Sequence, residues 1–489
     1  MQSMKIEQLL EKKEQLQITI LRELVLQGGI VATNELREKV GLSKSAFDQY
    51  LEEISVIGLM MGKKVAIKRT EFQLVLELAD DNSLEKILIF LVQQSLKFNL
   101  LTYLLEHHQA SIVRLATAFN ISESSVFRKI KELNQLLREF SLQIKNGQLY
   151  GEELQVRYFY FVLFQFIPES QRPQFLRQPI HKAPLVLGLE RGLETTFTVE
   201  ATRKIACWLG ITRKRLLSEK TTFDTLKEKK QLYQKDRLYQ AIDPILSLYL
   251  SRTAADLSGY EALMFYSFFV SFAVLDEEQF YQYDLTRSKK LPTAVLDTYI
   301  RETMLWHYRP RRLKIKEEKA VGYQLAQIHN ECYFFQGTMM IYEEKHLLAQ
   351  QKKMLGQSLS QLLERLKETT IAQLSAKQLE ASALNYLMIE YANILMMIDF
   401  YIAKSVKIGI DIHTLPIYRI AFQQYLLSEL KGISGIEIEN KQKGKNYDLV
   451  ITFNQEEPQQ NYYYLSEFAS TYDIARLKQK IEQAKKAKN

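Results

Sequence analysis

The sequence predicts a mainly helical, multidomain protein that begins with two helix-turn-helix units, the second of them winged. Three observations carry this prediction. A chain of 489 residues exceeds what one hydrophobic core usually supports. Most stretches repeat apolar residues at helical spacing. Beyond residue 404 the pattern changes, because strand-like and helical segments alternate there and predict a small, mostly parallel α/β domain.

Residues 111–151 form the clearest unit. Asn120-Ile121-Ser122 lies between two amphipathic helical patterns. It can supply a sharp turn after the first helix and a cap for the second. Asn146-Gly147 lies between two apolar strand-like segments and predicts a hairpin, the wing. In such a unit the second helix recognises duplex DNA. The polar side chains predicted to contact DNA from this helix are Ser124, Ser125, Arg128, Lys129 and Lys131. The alternative is an amphipathic helical pair that binds nothing.

Residues 16–60 repeat the pattern in weaker form, with Gly41-Leu42-Ser43 as the turn. The second helix of this unit offers Lys44, Ser45 and Gln49 as candidate DNA contacts. A basic wing is predicted around Gly62-Lys63-Lys64, and the segment from Phe72 to Leu105 is predicted to be helical. Acidic residues in the same helix weaken its attraction for phosphates, so the second unit is preferred as the main DNA-binding element.

Composition bounds the class of protein. The net charge of +8 suggests an anionic partner, but residues 1–150 hold 19 Lys and Arg against 18 Asp and Glu, so the DNA prediction rests on local pattern. Neither a secretion signal nor a bilayer-spanning segment is recognised, which predicts a cytoplasmic protein without membrane contact. The two cysteines lack metal-type spacing, and neither a cofactor nor an enzymatic motif is expected.

Residues 151–168, GEELQVRYFYFVLFQFIP, follow the two helix-turn-helix units. This combination resembles the Mga/AtxA family of Gram-positive transcriptional regulators of virulence genes. Arg157 and Glu152 could pair near the start of this segment. The resemblance implies a homodimeric regulator, most often an activator, that carries two helical PTS regulation domains and a C-terminal EIIB-like domain. It also implies partners among the PTS phosphocarrier proteins, which phosphorylate histidines.

The expected organisation comprises five segments. They are a helix-turn-helix domain at 1–70, a winged helix-turn-helix domain at 71–155, PTS regulation domains at 156–280 and 281–402, and an EIIB-like dimerisation domain at 403–489.

Phosphorylation candidates follow from the resemblance. His329 is the first choice, and His307 is the second because Arg309, Arg311 and Arg312 beside it could hold a phosphate. For each, an ordinary helical histidine is the alternative. His181 in the first regulation domain is expected to be a surface residue without a role.

The expected EIIB-like domain bears on a competing function. In EIIB enzymes a cysteine after the first strand accepts phosphate, whereas the corresponding loop here, residues 411–416, has His413 and no cysteine. A phosphotransferase or a phosphocarrier-interaction protein without DNA binding is therefore the second hypothesis. An RNA-binding antiterminator is a third, but its relatives begin with a small β domain.

Overall fold

A computed structural model provides the structure of the chain. It describes residues 3–62, 65–70, 72–177, 184–218, 222–251, 259–341, 344–374, 381–402, 406–411, 416–430, 436–442, 444–453, 461–466 and 470–488. The chain is mainly helical, as the sequence predicts. Its contacts divide it into two compact units, the first comprising Met1–Met304 with Lys319–Ala392 and the second Leu305–Glu318 with Asn393–Asn489.

The N-terminal part of the first unit holds two successive helix-turn-helix segments. Its elements are β1 (Met4–Lys5), α1 (Lys12–Leu26), β2 (Ile30–Ala32), α2 (Thr33–Val40), α3 (Lys44–Met60), β3 (Val65–Arg69), β4 (Gln73–Leu78), α4 (Leu84–Gln94), α5 (Leu96–His107), α6 (Ile112–Phe119), α7 (Glu123–Leu137), β5 (Gln143–Lys145) and β6 (Gln148–Tyr150).

A long helical region follows. Its elements are α8 (Glu153–Gln165), α9 (Pro184–Gly192), α10 (Val199–Arg215), α11 (Asp224–Tyr233), α12 (Arg237–Leu250), α13 (Glu261–Ser271), α14 (Glu277–Thr286), α15 (Pro292–His307), α16 (Ile315–Phe334), β7 (Met339–Met340), α17 (Glu344–Gln373) and α18 (Ala381–Ile402). The C-terminal part holds β8 (Val406–Asp411), α19 (Pro416–Leu430), β9 (Ile436–Asn440), β10 (Leu449–Thr452), β11 (Tyr462–Tyr464) and α20 (Thr471–Lys488).

The first helix-turn-helix segment carries a wing of its own. Strand β4 pairs antiparallel with β3 on one side and with β2 on the other, giving a sheet of order β2-β4-β3. The prediction that the chain is helical from Phe72 onward is therefore wrong for Gln73–Leu78, and the wing extends past the boundary expected at residue 70. Lys63 and Lys64 of the predicted wing turn lie outside the described residues.

The second segment has the winged helix-turn-helix form in full. Asn120, at the end of α6, adopts the left-handed conformation at φ 52°, and the side chain of Ser122 accepts a hydrogen bond from the Ser125 amide at the start of α7. Strands β5 and β6 pair antiparallel. Asn146 and Gly147 both have positive φ, as a two-residue hairpin of type I′ requires.

The wing is also bonded to the loop that precedes α6. The carbonyl oxygen of Gly147 accepts a hydrogen bond of 3.0 Å from the Ala110 amide. A Cβ placed on Gly147 would lie 1.7 Å from the Ala110 carbonyl oxygen. A glycine is therefore required at position 147 for two reasons: the backbone has a positive φ there, and it passes close to the backbone of Ala110.

A buried ion network anchors α8 in the helical region. The guanidinium of Arg157 donates to Glu153 at 2.8 Å and to Glu261 at 2.6 Å, and Arg215 donates to the other oxygen of Glu153 at 2.8 Å. Burial raises the pKa of Glu153, but the charges of Arg215 and Arg157 outweigh burial and hold that pKa below its ordinary value. Arg157 thus pairs with Glu153 and Glu261 and not with Glu152, whose carboxylate accepts from the Asp224 amide.

The C-terminal unit contains a four-stranded sheet of order β11-β10-β8-β9, and the described pairs are all parallel. Its core is made by β8 together with the inner faces of α19 and α20, through residues such as Ile408, Leu426 and Leu477. Parallel pairing is what the strand-helix alternation of the sequence predicts.

Gly147→Ala is expected to destabilise the second winged helix-turn-helix segment. An alanine there adds backbone strain of about 1–3 kcal/mol at positive φ and collides with the Ala110 carbonyl. Thermal unfolding followed by circular dichroism measures the loss. Gly41→Ala is the matched control, since Gly41 has φ 70° and a Cβ added to it would meet no described atom within 4 Å. Equal shifts in Tm for the two variants would contradict the close approach.

Candidate nucleic-acid interface

Helix α7 presents one polar face to the surface. Val126, Leu133 and Leu137 are fully buried, which fixes the inward side of the helix. Ser124, Arg128 and Lys131 are exposed and are spaced i, i+4 and i+7, so they lie on one face. A helix that begins at a tight turn and exposes such a face can enter a major groove and contact both base edges and phosphates.

The first turn of α7 is held by a cluster of serine hydroxyls. The hydroxyls of Ser124 and Ser125 each lie 2.9 Å from the hydroxyl of Ser122, which also caps the helix. Ser124 is exposed and Ser125 is half-buried. Both are positioned at the helix start, as predicted, and their hydroxyls are ordered by the cap.

Lys129 is buried, so the prediction that it lies on the exposed face of α7 is wrong. Only 6% of the residue is exposed, and its ammonium donates to Glu11 at 2.7 Å and to Glu132 at 3.0 Å. Burial lowers the pKa of Lys129, but the hydrogen bonds to these two carboxylates outweigh burial and raise it. Lys129 therefore joins α7 to the residue that precedes α1, and its charge is neutralised inside the protein.

Two exposed cations near α7 were not among the predicted contacts. Lys145 is exposed on the wing, and the wing is attached to α7 because the Asn134 side chain both donates to the Ile144 carbonyl at 3.0 Å and accepts from the Ile144 amide at 2.6 Å. Arg114 is exposed on α6 and donates to the Tyr103 hydroxyl at 3.1 Å. The hairpin and cap signals locate both residues, but their orientation depends on tertiary contacts.

In the first helix-turn-helix segment, both cations of the described wing strand are paired with carboxylates. Lys44 and Ser45 are exposed at the start of α3, as predicted. Gln49 is exposed as well, and its amide donates to Glu53 at 2.9 Å. On the wing, Arg69 pairs with Asp48 at 2.6 Å and Lys68 pairs with Glu77. These pairs reduce the attraction of this face for phosphates.

His329, the first phosphorylation candidate, is completely buried. Its Nδ1 lies 2.6 Å from Asp297, which also binds Arg287 at 2.6 Å, and its Nε2 lies 2.8 Å from the Tyr391 hydroxyl. With both ring nitrogens engaged, a phosphocarrier cannot reach either one in this conformation. The expectation of an accessible acceptor at His329 is therefore not met.

His307, the second candidate, is exposed at the end of α15. Next to His307 in the sequence, the guanidinium of Arg309 stacks over the ring of Trp306, with its central carbon 4.0 Å from the ring centroid. His346 is also exposed, on α17. His181 and His413 lie outside the described residues.

In the part of the chain that the structure describes, no group of three or more His, Cys, Asp or Glu side chains could hold a metal ion. No single described helix has the length and apolarity to cross a membrane, although the bent pair α4 and α5 together meets the length and composition criteria.

Fold and site together define the class. A capped α6-turn-α7 pair with an exposed basic recognition face and an attached wing is a winged helix-turn-helix, a DNA-binding class. Residues 80–164 match the family model of the Mga helix-turn-helix domain, which spans α4 to the end of α8. The match confirms the resemblance to the Mga family for this segment of the chain. None of the curated proteins matches the chain.

Lys129→Ala is expected to lower stability, because it removes the charged hydrogen bonds that a nearly buried ammonium makes to Glu11 and Glu132. The expected loss is about 1–3 kcal/mol, measured as a fall in denaturant midpoint. Lys131→Ala, two positions along the same helix, is the matched control and should remain within about 0.5 kcal/mol of the wild type because Lys131 is exposed. The reverse order of effects would show that Lys129 faces solvent.

Proposed function

We propose that this chain is a transcription regulator that binds duplex DNA mainly through the exposed face of α7. This proposal rests mainly on the position of Ser124, Arg128 and Lys131, which lie on one face of a capped helix. That helix belongs to the segment that matches the Mga helix-turn-helix domain. Arg128 and Lys131 contact phosphates or guanine edges, and Ser124 adds a short hydrogen bond near the helix start.

The surroundings of α7 favour the second helix-turn-helix segment over the first as the main DNA-binding element. Arg114 and Lys145 extend the positive surface on the α6 and wing sides of α7. In the first helix-turn-helix segment, Asp48 and Glu77 neutralise Arg69 and Lys68, the two cations of the described wing strand β3. Lys44, Ser45 and Gln49 therefore serve as secondary contacts that lengthen the site on DNA.

A homodimer suits this proposal, because two copies can engage repeated operator sites and strengthen binding through multivalency. The C-terminal unit offers a surface for self-association, since Ile417 and Ile420 on α19 are 73% and 58% exposed. In this proposal the parallel sheet serves assembly, as in an EIIB-like dimerisation domain, and the homodimer activates virulence or metabolic genes in the cytoplasm.

Control by PTS phosphocarriers completes the proposal, with the helical segments 156–280 and 281–402 as the two regulation domains. His307 is the more accessible of the two candidates, because it is exposed whereas His329 is enclosed. Exposed Arg309 follows two residues later, and an arginine can bind the phosphate that phosphorylation adds. A new negative charge there would change how the chain assembles or binds DNA.

The phosphotransferase alternative lacks support in the C-terminal segment. The two cysteines of the chain, Cys207 and Cys332, lie far from it in sequence, and both are buried. Burial raises the pKa of the Cys207 thiol to about 12, which keeps it protonated and unreactive near neutral pH.

Arg128→Ala is expected to weaken specific duplex binding by about 1–3 kcal/mol, since it removes a charged contact to a base or phosphate. A fluorescence-anisotropy titration of the full chain with a selected duplex measures the change. Arg191→Ala, at an exposed arginine on α9, is the matched control and should bind as the wild type does. Unchanged affinity for Arg128→Ala would remove α7 from the interface.

Incubation of the chain with phosphoenolpyruvate and the general PTS phosphocarriers is expected to give an acid-labile phosphate on His307. Intact-mass and peptide mass spectrometry detect it. His307→Ala should lose the label, whereas His346→Ala, at another exposed histidine, should keep it. Retention of the full label in His307→Ala would contradict the assignment of His307.

A further inference from the structure

An exposed aromatic ring borders the polar face of the recognition helix α7. Phe127, between Val126 and Arg128 on α7, is 59% exposed. It follows exposed Ser124 by three residues and precedes exposed Lys131 by four, so its side chain borders the proposed DNA-binding face. A phenylalanine left in water at this position is not explained by the packing of the helix, whose inward side is supplied by Val126, Leu133 and Leu137.

The surface beside Phe127 is open and partly apolar. An open cleft of about 660 Å³ lies on the surface where α6, α7 and the wing meet, and it is lined by Phe127 and Ile130 of α7, Ile112 of α6, and Ile144 and Asn146 of the wing. A DNA strand that lies along this cleft would contact the ring of Phe127 and cover it.

The chemistry of Phe127 restricts what it can recognise. Its ring neither donates nor accepts hydrogen bonds, so it gains nothing from the polar atoms of base edges. In the major groove the one apolar group on a base edge is the C5 methyl of thymine. Covering that methyl with an aromatic ring removes apolar surface from water on both molecules.

We propose that Phe127 is a specificity-determining residue that recognises the C5 methyl group of thymine in the major groove. This inference rests on the proposed function, because it requires α7 to enter the groove. Arg128 and Lys131 attract the duplex through their positive charges, while Phe127 favours operators with thymine at the position that it covers.

Deoxyuridine tests this proposal, because it differs from thymidine only by the missing methyl group. The full chain first enriches binding sequences from a random duplex pool, and the enriched pool is then amplified with either thymidine or deoxyuridine triphosphate. Loss of one buried methyl group corresponds to about fourfold in affinity. The wild-type chain is therefore expected to bind the uracil pool about fourfold more weakly than the thymine pool.

Phe127→Ala should bind both pools equally, at an affinity close to that of the wild type on uracil. Leu248→Ala on α12 removes another exposed apolar side chain and should keep the fourfold difference. Circular dichroism verifies that Phe127→Ala folds, as expected for an exposed position.

Each remaining outcome decides a different point. If the wild type enriches no sequence, the proposed DNA-binding function fails. If it enriches sequences but binds both pools equally, that function stands and the thymine contact is wrong. If Phe127→Ala keeps the fourfold difference, another side chain recognises the methyl group. If the variant weakens binding to both pools by the same factor, Phe127 contacts DNA without recognising thymine, and the proposal is overturned as well.

Discussion

The ion cluster around Lys129 determines which face of the recognition helix is available. Its ammonium binds Glu132 on its own helix and Glu11 at the start of α1, and the side chain is nearly excluded from solvent. Lys97 lies beside the same cluster, 3.5 Å from Glu132. Asn134 bonds the wing on another side of the helix. With these sides occupied, the surface that contains Ser124, Arg128 and Lys131 remains exposed. The proposed contacts with DNA depend on that arrangement.

Local signals in the sequence predicted much of this arrangement. The Asn120 turn, the Ser122 cap and the Asn146-Gly147 hairpin are each set by a few adjacent residues, and the structure has all three. The error at Lys129 has a different origin. Its partner Glu11 is 118 residues away in sequence, so helical periodicity alone could not show that this lysine is buried. Strand β4 was missed for a different reason, because the wing turn was predicted at Gly62-Lys63-Lys64, whereas β4 follows β3 and pairs antiparallel with it as well as with β2. His329 is enclosed by Asp297 and Tyr391, which are also distant in sequence from the helix that contains it.

The recognition helix is also connected to the helical region that contains His329. Helix α16 is followed by a segment that contains Thr338. The amide of Thr338 donates a hydrogen bond of 3.0 Å to the side chain of Glu139, which lies in the turn after α7. The Tyr158 hydroxyl donates to the carbonyl oxygen of Gly337 at 2.8 Å, and β1 pairs with β7 next to it. A Cβ on Gly337 would lie within 3 Å of the Phe140 ring, so this contact leaves no room for a side chain. These contacts hold the end of the second winged helix-turn-helix segment against the loop that follows α16.

In the proposed function, duplex DNA lies against the exposed face of α7. The most direct measurement is the salt dependence of duplex binding by the full chain, with and without the paired substitutions Arg128→Ala and Lys131→Ala. This arrangement predicts a steep dependence for the wild type and a slope of log K against log salt that is shallower by about two in the double variant if both side chains contact phosphates, since each phosphate contact contributes about 0.9. Identical slopes and affinities for the two proteins would contradict it and would place the DNA elsewhere on the chain.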